Sequence, residues 1–363
     1  MKTVLVVVGA RPNFVKVSRF REVAEERGDI CVEFVHTGQH SDDRMTDVFI
    51  EQFGLRIDHH LGIEPGDANE QIARIMLTLG PAVKHVRPAA MVVVGDVTGT
   101  LAAALTANKL NIPLVHVESG LRSGDRSMPE EVNRILTDQL TDHFMVTEPS
   151  GREHLLREGA PAERIHMVGN TMIDTLVKFK ERIAGCDVLA KHGWQDGDHA
   201  LLTMHRPAAV DDPAELHRTI DMITAVCERY RTIFPIHPRT LASLERNGAL
   251  ERLRSISGLE LTEPMDYFAF QHVLSTSACV ITDSGGVQEE ATFQGIPCIT
   301  LRPNTERPIT VDVGTNELVP FDVGALSAAL ERIGNGTFKR GRCPELWDGH
   351  ATERIFEVLA ATL

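Results

Sequence analysis

Residues 91–118 read Met91-Val-Val-Val94-Gly95-Asp96-Val97-Thr98-Gly99-Thr100-Leu101-Ala-Ala-Ala-Leu-Thr-Ala-Asn-Lys-Leu110-Asn111-Ile112-Pro113-Leu114-Val-His-Val117-Glu118. The run 91–94 is β-branched and does not alternate polar with apolar residues, the mark of a strand covered on both faces. The alanine-rich stretch 101–110 has a helical pattern, and 114–117 is a second buried strand. Strand, helix, strand is the βαβ unit, which predicts a parallel sheet with helices on its faces.

The same alternation runs through almost the whole chain. Apolar runs stand at 4–8, 32–35, 91–94, 114–117, 144–146 and 165–168, and then at 201–204, 232–236, 279–282 and 298–301. At roughly 150 residues per domain, 363 residues suggest two domains. A break near 169–180, after the sixth run, gives two doubly wound α/β halves of similar size. Aromatic residues are only 5% of the chain, so both cores are expected to rest on Val, Ile, Leu, Ala and Met. The net charge of −14 argues against a nucleic-acid or anionic-membrane surface, either of which needs a basic face. It leaves room for an anionic small ligand held by a few local Arg and Lys residues.

Six cysteines include no C-x-x-C pair, and the closest two are 19 residues apart. A disulfide framework or zinc knuckle is not expected, and a reducing, cytoplasmic setting is. The apolar start of the chain is too short for an export signal, and no run approaches 18 apolar residues. The sixteen histidines form no H-E-x-x-H or other metal-ligand spacing, so no metal is expected.

Function is legible at the strand ends. Residue 8 leads to Gly9-Ala-Arg11, 94 to Gly95-Asp96, 117 to Glu118, 204 to His205-Arg206 and 282 to Asp283-Ser284-Gly285-Gly286. Open α/β sheets bind ligands outside the carboxyl ends of their strands. Two such sheets facing each other would gather these groups around one cleft. Ser284-Gly285-Gly286 opens a helix, where unpaired N–H groups and the positive dipole end suit a phosphate. Glu290, about one and a half turns further on, is placed to accept from ribose hydroxyls. Gly295-Ile-Pro297 should end that helix. Gly9-Ala10-Arg11-Pro12 is another strand-to-helix turn, from which Arg11 and Lys16 can reach a phosphate. With no G-x-G-x-x-G there, a dinucleotide is not indicated. His205 can bring a proton or a positive charge to a diphosphate. Asp96 and Glu118 end two strands. Glu130, after Pro129, opens a helix, where acids suit the dipole without any catalytic task; it is also spaced for a pair with Arg134.

Taken in order, several runs resemble the non-hydrolysing UDP-N-acetylglucosamine 2-epimerase family. They are Gly9-Ala-Arg-Pro-Asn-Phe-Val-Lys16, Thr37-Gly-Gln-His40, Gly95-Asp96, His116-Val-Glu-Ser-Gly-Leu-Arg122, Pro129-Glu-Glu-Val-Asn-Arg134, Val168-Gly-Asn-Thr171, His205-Arg206, Asp283-Ser-Gly-Gly-Val-Gln-Glu-Glu290 and Thr305-Glu-Arg-Pro308. The resemblance implies a GT-B-like pair of Rossmann-like domains, 1–172 and 173–349, with about 350–363 packing back on the first. It also implies a homodimer, no cofactor, and reversible conversion of UDP-GlcNAc to UDP-ManNAc for polysaccharide biosynthesis. Carried over by position, Arg11, Lys16, His205, Ser284, Gly285, Gly286 and Arg307 surround the diphosphate. Glu290 holds the ribose, and the run 267–270, with Phe270, lies against uracil. Asp96, Glu118 and Glu130 are the catalytic carboxylates with His205, and Arg134 helps to hold the sugar. The chain departs from relatives at Asn13, where Glu is frequent, and at Pro207-Ala208-Ala209, where a Glu-Asn pair often follows His-Arg.

The chemistry fits such a set. The C2 proton of the sugar is not beside a carbonyl. Breaking the C1–O bond creates positive charge at C1 and makes C2–H acidic. Cations and helix N–H groups stabilise the expelled UDP, while carboxylates stabilise the oxocarbenium character and carry the proton. The alternatives are a 2-epimerase of a modified UDP-sugar of the diacetamido-uronate type, a hydrolysing 2-epimerase, a GT-B glycosyltransferase, and a non-catalytic nucleotide-sugar sensor.

Overall fold

The computed structural model describes residues 1–38, 43–64 and 66–363, without the side chains of Arg11, 43–47 and 207–208. Gln39 and His40 of the 37–40 run lie outside the described residues. Contacts divide the chain into two compact units, Met1–Lys178 with Glu345–Leu363, and Phe179–Pro344.

The first unit holds a parallel sheet of β1 (Lys2–Val8), β2 (Ile30–His36), β3 (His59–His60), β4 (Ala90–Val94), β5 (Leu114–Val117), β6 (His143–Val146) and β7 (Ile165–Met167). Their spatial order is β3-β2-β1-β4-β5-β6-β7. The quoted stretch supplies the centre. The Thr98–Lys109 helix crosses over from β4 to β5, which pair in parallel from Met91 with Leu114 to Val94 with Val117. Ala102, Ala103, Ala104 and Ala107 are fully buried against Val93, Leu114 and Leu79, so small side chains let the helix lie close to its neighbours.

The second unit holds β8 (His199–Thr203), β9 (Arg231–Pro235), β10 (Leu259–Thr262), β11 (Cys279–Thr282), β12 (Cys298–Thr300) and β13 (Asn316–Leu318), all parallel, in the order β10-β9-β8-β11-β12-β13. Counted from its own first strand, this is the 3-2-1-4-5-6 order of nucleotide-binding sheets; the first unit has the same order with one strand added. The expected doubly wound α/β architecture is therefore present twice. Cys279 and Cys298 are buried strand residues whose thiols burial pushes up to about 12. All six cysteines are free thiols. Among the described residues no helix is long and apolar enough to cross a membrane.

The last helix, Ala351–Thr362, belongs to the first unit. Phe356 meets Phe20 edge-on at 5.6 Å, and Arg19 pairs with Glu353 at 2.8 Å. Asp174, buried in the Thr171–Lys178 helix, accepts from the Ala351 N–H (3.0 Å), the Thr352 N–H (2.6 Å) and the Thr352 hydroxyl (2.6 Å). A carboxylate thus satisfies the open N–H groups of the final helix from another element. Replacing Asp174 with Ala orphans three buried donors and should cost about 2–4 kcal/mol, read as a lower urea midpoint. A loss below about 0.5 kcal/mol would mean that the apolar face alone holds the helix.

Candidate active site

In each sheet the strand order reverses at one place, between β1 and β4 and between β8 and β11. A crevice opens at such a point beyond the carboxyl ends of the two strands. Both points carry dense polar chemistry.

In the first unit, β1 turns through Gly9 and Ala10 into the Arg11–Val17 helix, with Pro12 in its first turn as expected. The Asn13 side-chain oxygen accepts from the N–H groups of Gly9 (3.1 Å) and Ala10 (3.0 Å), and its amide donates to the Val94 carbonyl of β4 at 3.1 Å. One side chain thus ties the turn after β1 to the end of β4. One helical turn on, Lys16 is buried and pairs with Glu118 at the end of β5. Glu118 is held at φ 67°, in the left-handed region where a non-glycine residue costs about 1–2 kcal/mol. Gly95 lies beneath the pair: a Cβ there would stand 3.3 Å from Lys16 Nζ and 3.5 Å from Glu118 Oε2. With its own φ of 67°, the position is open only to glycine without strain.

Asp96 follows Gly95 and pairs with the guanidinium of Arg134, from the Pro129–Leu140 helix. Asn133 on that helix donates to the Asp96 carbonyl at 2.9 Å. Arg134 also bonds Glu131 at 3.2 Å, and Glu131 accepts from the N–H groups of Ser123 and Gly124 at 2.9 and 3.0 Å. His116 of β5, fully buried, joins these parts. Its ring spans Asp138 on the same helix (2.7 Å) and the Gly95 carbonyl (2.8 Å). Burial pushes the Asp138 carboxyl up, but His116 and Arg122 outweigh it and hold it below the usual range.

In the second unit, Asp283 plays the joining part. Buried at the end of β11, it accepts from the N–H groups of His205 (2.7 Å) and Arg206 (2.8 Å) and lies 2.9 Å from His205 Nδ1. Burial opposes its ionisation, yet these bonds hold its pKa below the ordinary value. Ser284 is the N-cap of the Gly285–Gln294 helix but does not cap it with its hydroxyl, and Gly295 ends it at φ 74°, as expected. Arg307 pairs with the buried Glu289 of that helix at 2.7 Å. Arg302 and Arg206 reach Glu306 at 2.8 and 3.1 Å. Glu290, buried in the same helix, has its carboxyl pushed up to about 8 by burial, with Glu289 adding to the shift and a Gln271 hydrogen bond opposing it. Among the described residues no three His, Cys, Asp or Glu side chains are grouped as a metal site needs.

The family model described as UDP-N-acetylglucosamine 2-epimerase matches residues 22–360. The chain belongs to the UDP-N-acetylglucosamine 2-epimerase family. It is 36% identical over 360 residues to the UDP-N-acetylglucosamine 2-epimerase of Methanocaldococcus jannaschii, covering 98% of each. It is 37% identical over 362 residues to the UDP-2,3-diacetamido-2,3-dideoxy-D-glucuronate 2-epimerase of Pseudomonas aeruginosa, covering 98% of this chain and 99% of the other. The crystal structure of the Methanocaldococcus jannaschii UDP-GlcNAc 2-epimerase in complex with UDP-GlcNAc and UDP matches with a TM-score of 0.91 at 34% identity, covering 99% of both chains.

Within this epimerase-family chain the first unit brings Lys16 to Glu118 and Asp96 to Arg134. The backbone of Arg11 opens its helix, but its side chain lies outside the described residues. Glu130 stands exposed in the first turn of its helix; the buried acid there is Glu131, and Arg134 pairs with Glu131 and Asp96 instead of the expected Glu130. The offset from 130 to 134 allows an i,i+4 pair, but burial turns Arg134 inward, where the Asp96 strand end offers the better partner. In the second unit His205 meets Asp283, Ser284 and Gly285 begin the helix, Gly286 follows, and Glu290 and Arg307 are buried near Glu289. Of the run 267–270 only Phe270 is incompletely buried. Sequence reasoning missed the roles of Asn13, His116, Asp138, Glu131 and Glu306. Asn13 at the third helical position, spaced to reach back to the start of its helix, was the one local signal.

The folded chain keeps the Glu290 proton up to about pH 8, whereas the unfolded chain releases it near the ordinary 4.5. The stability contributed by that proton is complete below pH 4.5 and is lost as pH rises towards 8, with a slope of at most about 1.4 kcal/mol per pH unit. Urea unfolding between pH 5 and 9 should show Glu290→Gln gaining on the parent chain as pH rises. Parallel curves would contradict the assignment.

Proposed function

We propose that the chain interconverts UDP-N-acetylglucosamine and UDP-N-acetylmannosamine by reversible, non-hydrolysing epimerisation at C2. The observation that carries this reading is the pair of strand-end acids, Asp96 and Glu118, each held by a buried cation in a chain of this epimerase family.

In the proposed reaction the C1–O bond to UDP breaks and the C2 proton passes to a carboxylate, leaving a 2-acetamidoglucal and UDP. Returning the proton to the opposite face of C2, with re-addition of UDP at C1, gives the epimer. Asp96, Glu118 and Glu130 are the acids of this scheme. Salt-bridged Asp96 and Glu118 suit stabilisation of positive charge at C1. Exposed Glu130 suits exchange of its proton with water. Ser284, Gly285 and Gly286 offer helix N–H groups to the departing diphosphate, and Arg307, His205, Arg11 and Lys16 offer charge or hydrogen bonds. Glu290 takes the ribose, Phe270 the uracil, and Arg134 steadies the sugar. The reading includes a homodimer, testable by light scattering. The six free thiols support a cytoplasmic setting.

A second reading, a diacetamido-uronate UDP-sugar as substrate, is favoured by the 37% identity to the Pseudomonas aeruginosa enzyme beside 36% to the Methanocaldococcus jannaschii one. Incubation with each UDP-sugar in D₂O, followed by NMR, separates them. UDP-ManNAc carrying deuterium at C2 is the expected product. Stoichiometric free UDP would mean hydrolysis, and turnover of the uronate alone would establish the second reading. Asp96→Asn should lower turnover at least about 10²-fold, the scale of a lost acid–base group. Near-normal turnover would remove Asp96 from the catalytic set.

A further inference from the structure

The loop after β12 carries an acid that the proposed chemistry does not use. Glu306 is buried, and it neither caps a helix nor has a part in the scheme above. Its Oε2 accepts from Arg302 at 2.8 Å and its Oε1 from Arg206 at 3.1 Å, and neighbouring Arg307 adds attraction. Burial opposes ionisation, but these three guanidinium groups overcome it and hold the carboxyl far below its ordinary value. Glu306 Oε2 also lies 3.9 Å from the point where a side chain at Gly285 would begin. The carboxylate therefore sits beside the positive end of the ten-residue helix Gly285–Gln294, among the cations gathered there. The loop that presents it is itself fixed: Thr305 donates to Gln288 at 2.6 Å, and the Arg307 N–H donates to the Thr305 hydroxyl at 3.0 Å.

We propose that Arg206 and Arg302 belong with the diphosphate-binding groups at this helix end and that Glu306 is their built-in counter-anion, holding them in position and competing with the diphosphate for their charge. This rests on the reading that the second unit takes the diphosphate of a UDP-sugar. Two guanidinium groups beside a helix N-terminus repel one another in a buried setting unless an anion lies between them. A fixed carboxylate supplies that anion in advance, so the cations are ordered before a diphosphate binds. The same charge weakens the grip on bound diphosphate, which assists release of a UDP-sugar that is both substrate and product. A residue kept only for folding would, on neutralisation, leave UDP binding unchanged or weaker. A competing counter-anion makes it tighter. Glu306 is thus a positioning residue that acts through Arg206 and Arg302.

Calorimetric titration of the full chain with UDP tests this. Glu306→Gln keeps the shape and removes the charge, and should bind UDP at least about tenfold tighter, with a correspondingly slower off-rate. Glu306→Asp disturbs the fold least and draws the carboxylate back by one methylene, and should bind at least about threefold tighter. Unchanged or weaker UDP binding in a variant whose melting curve is native-like overturns the proposal. Failure of the parent chain to bind UDP overturns instead the reading on which it rests.

Discussion

A lysine buried beneath the end of a parallel sheet needs an anion, and in this protein Glu118 supplies it. The Lys16–Glu118 pair determines much of what surrounds it. Glu118 makes this pair from the left-handed backbone region, and Gly95, beside both groups, stands at φ 67°, where a side chain would be strained and closely packed against Lys16. Gly95 positions Asp96, whose charge is met by Arg134, and the Gly95 carbonyl is met by His116. An unpaired charge at the depth of Lys16 and Glu118 would cost several kcal/mol, so the two groups belong together. The result is two carboxylates fixed by cations at the reversal point of the first sheet.

The second unit solves the same topological problem with the charges exchanged. At its reversal point a buried acid, Asp283, organises the backbone of His205 and Arg206, and the groups offered outward are cations and helix N–H groups. Both sheets reverse their strand order in the same way, so the fold itself does not distinguish a unit that presents acids from one that presents cations and helix N–H groups. That difference comes from a few strand-end residues: Gly-Asp and Glu in one case, His-Arg and Asp-Ser-Gly-Gly in the other.

Ten apolar runs are visible in the sequence, and every one forms a strand within about one or two residues of its expected bounds. Among the described residues, the three strands without a visible run, β3, β10 and β13, are all at sheet edges. An edge strand has one neighbour and needs little apolar cover. β3 is His59–His60, β10 is half-buried throughout, and β13 begins with Asn316. The placement of candidate groups was legible where a residue ends a strand or opens a helix, as at Asp96, Glu118 and Ser284. It was not legible where a residue acts by holding another. His116 sits inside an apolar run and looks like a strand residue; only its distances to Asp138 and Gly95 disclose its part. Glu131 and Glu130 are adjacent acids in one helical turn, and periodicity alone does not say which turns inward. Glu306 depends on Arg206, a hundred residues away in the chain, a juxtaposition that only the folded loop provides.

Lys16 and Glu118 act as one buried unit. A double-mutant cycle in urea unfolding, using Lys16→Met, Glu118→Gln and the combined variant, measures this coupling directly. Lys16→Met alone should cost about 3–5 kcal/mol by stranding the carboxylate, and the combined variant should recover at least about 1 kcal/mol of the summed losses. Losses that simply add, to within about 0.5 kcal/mol, would contradict the account.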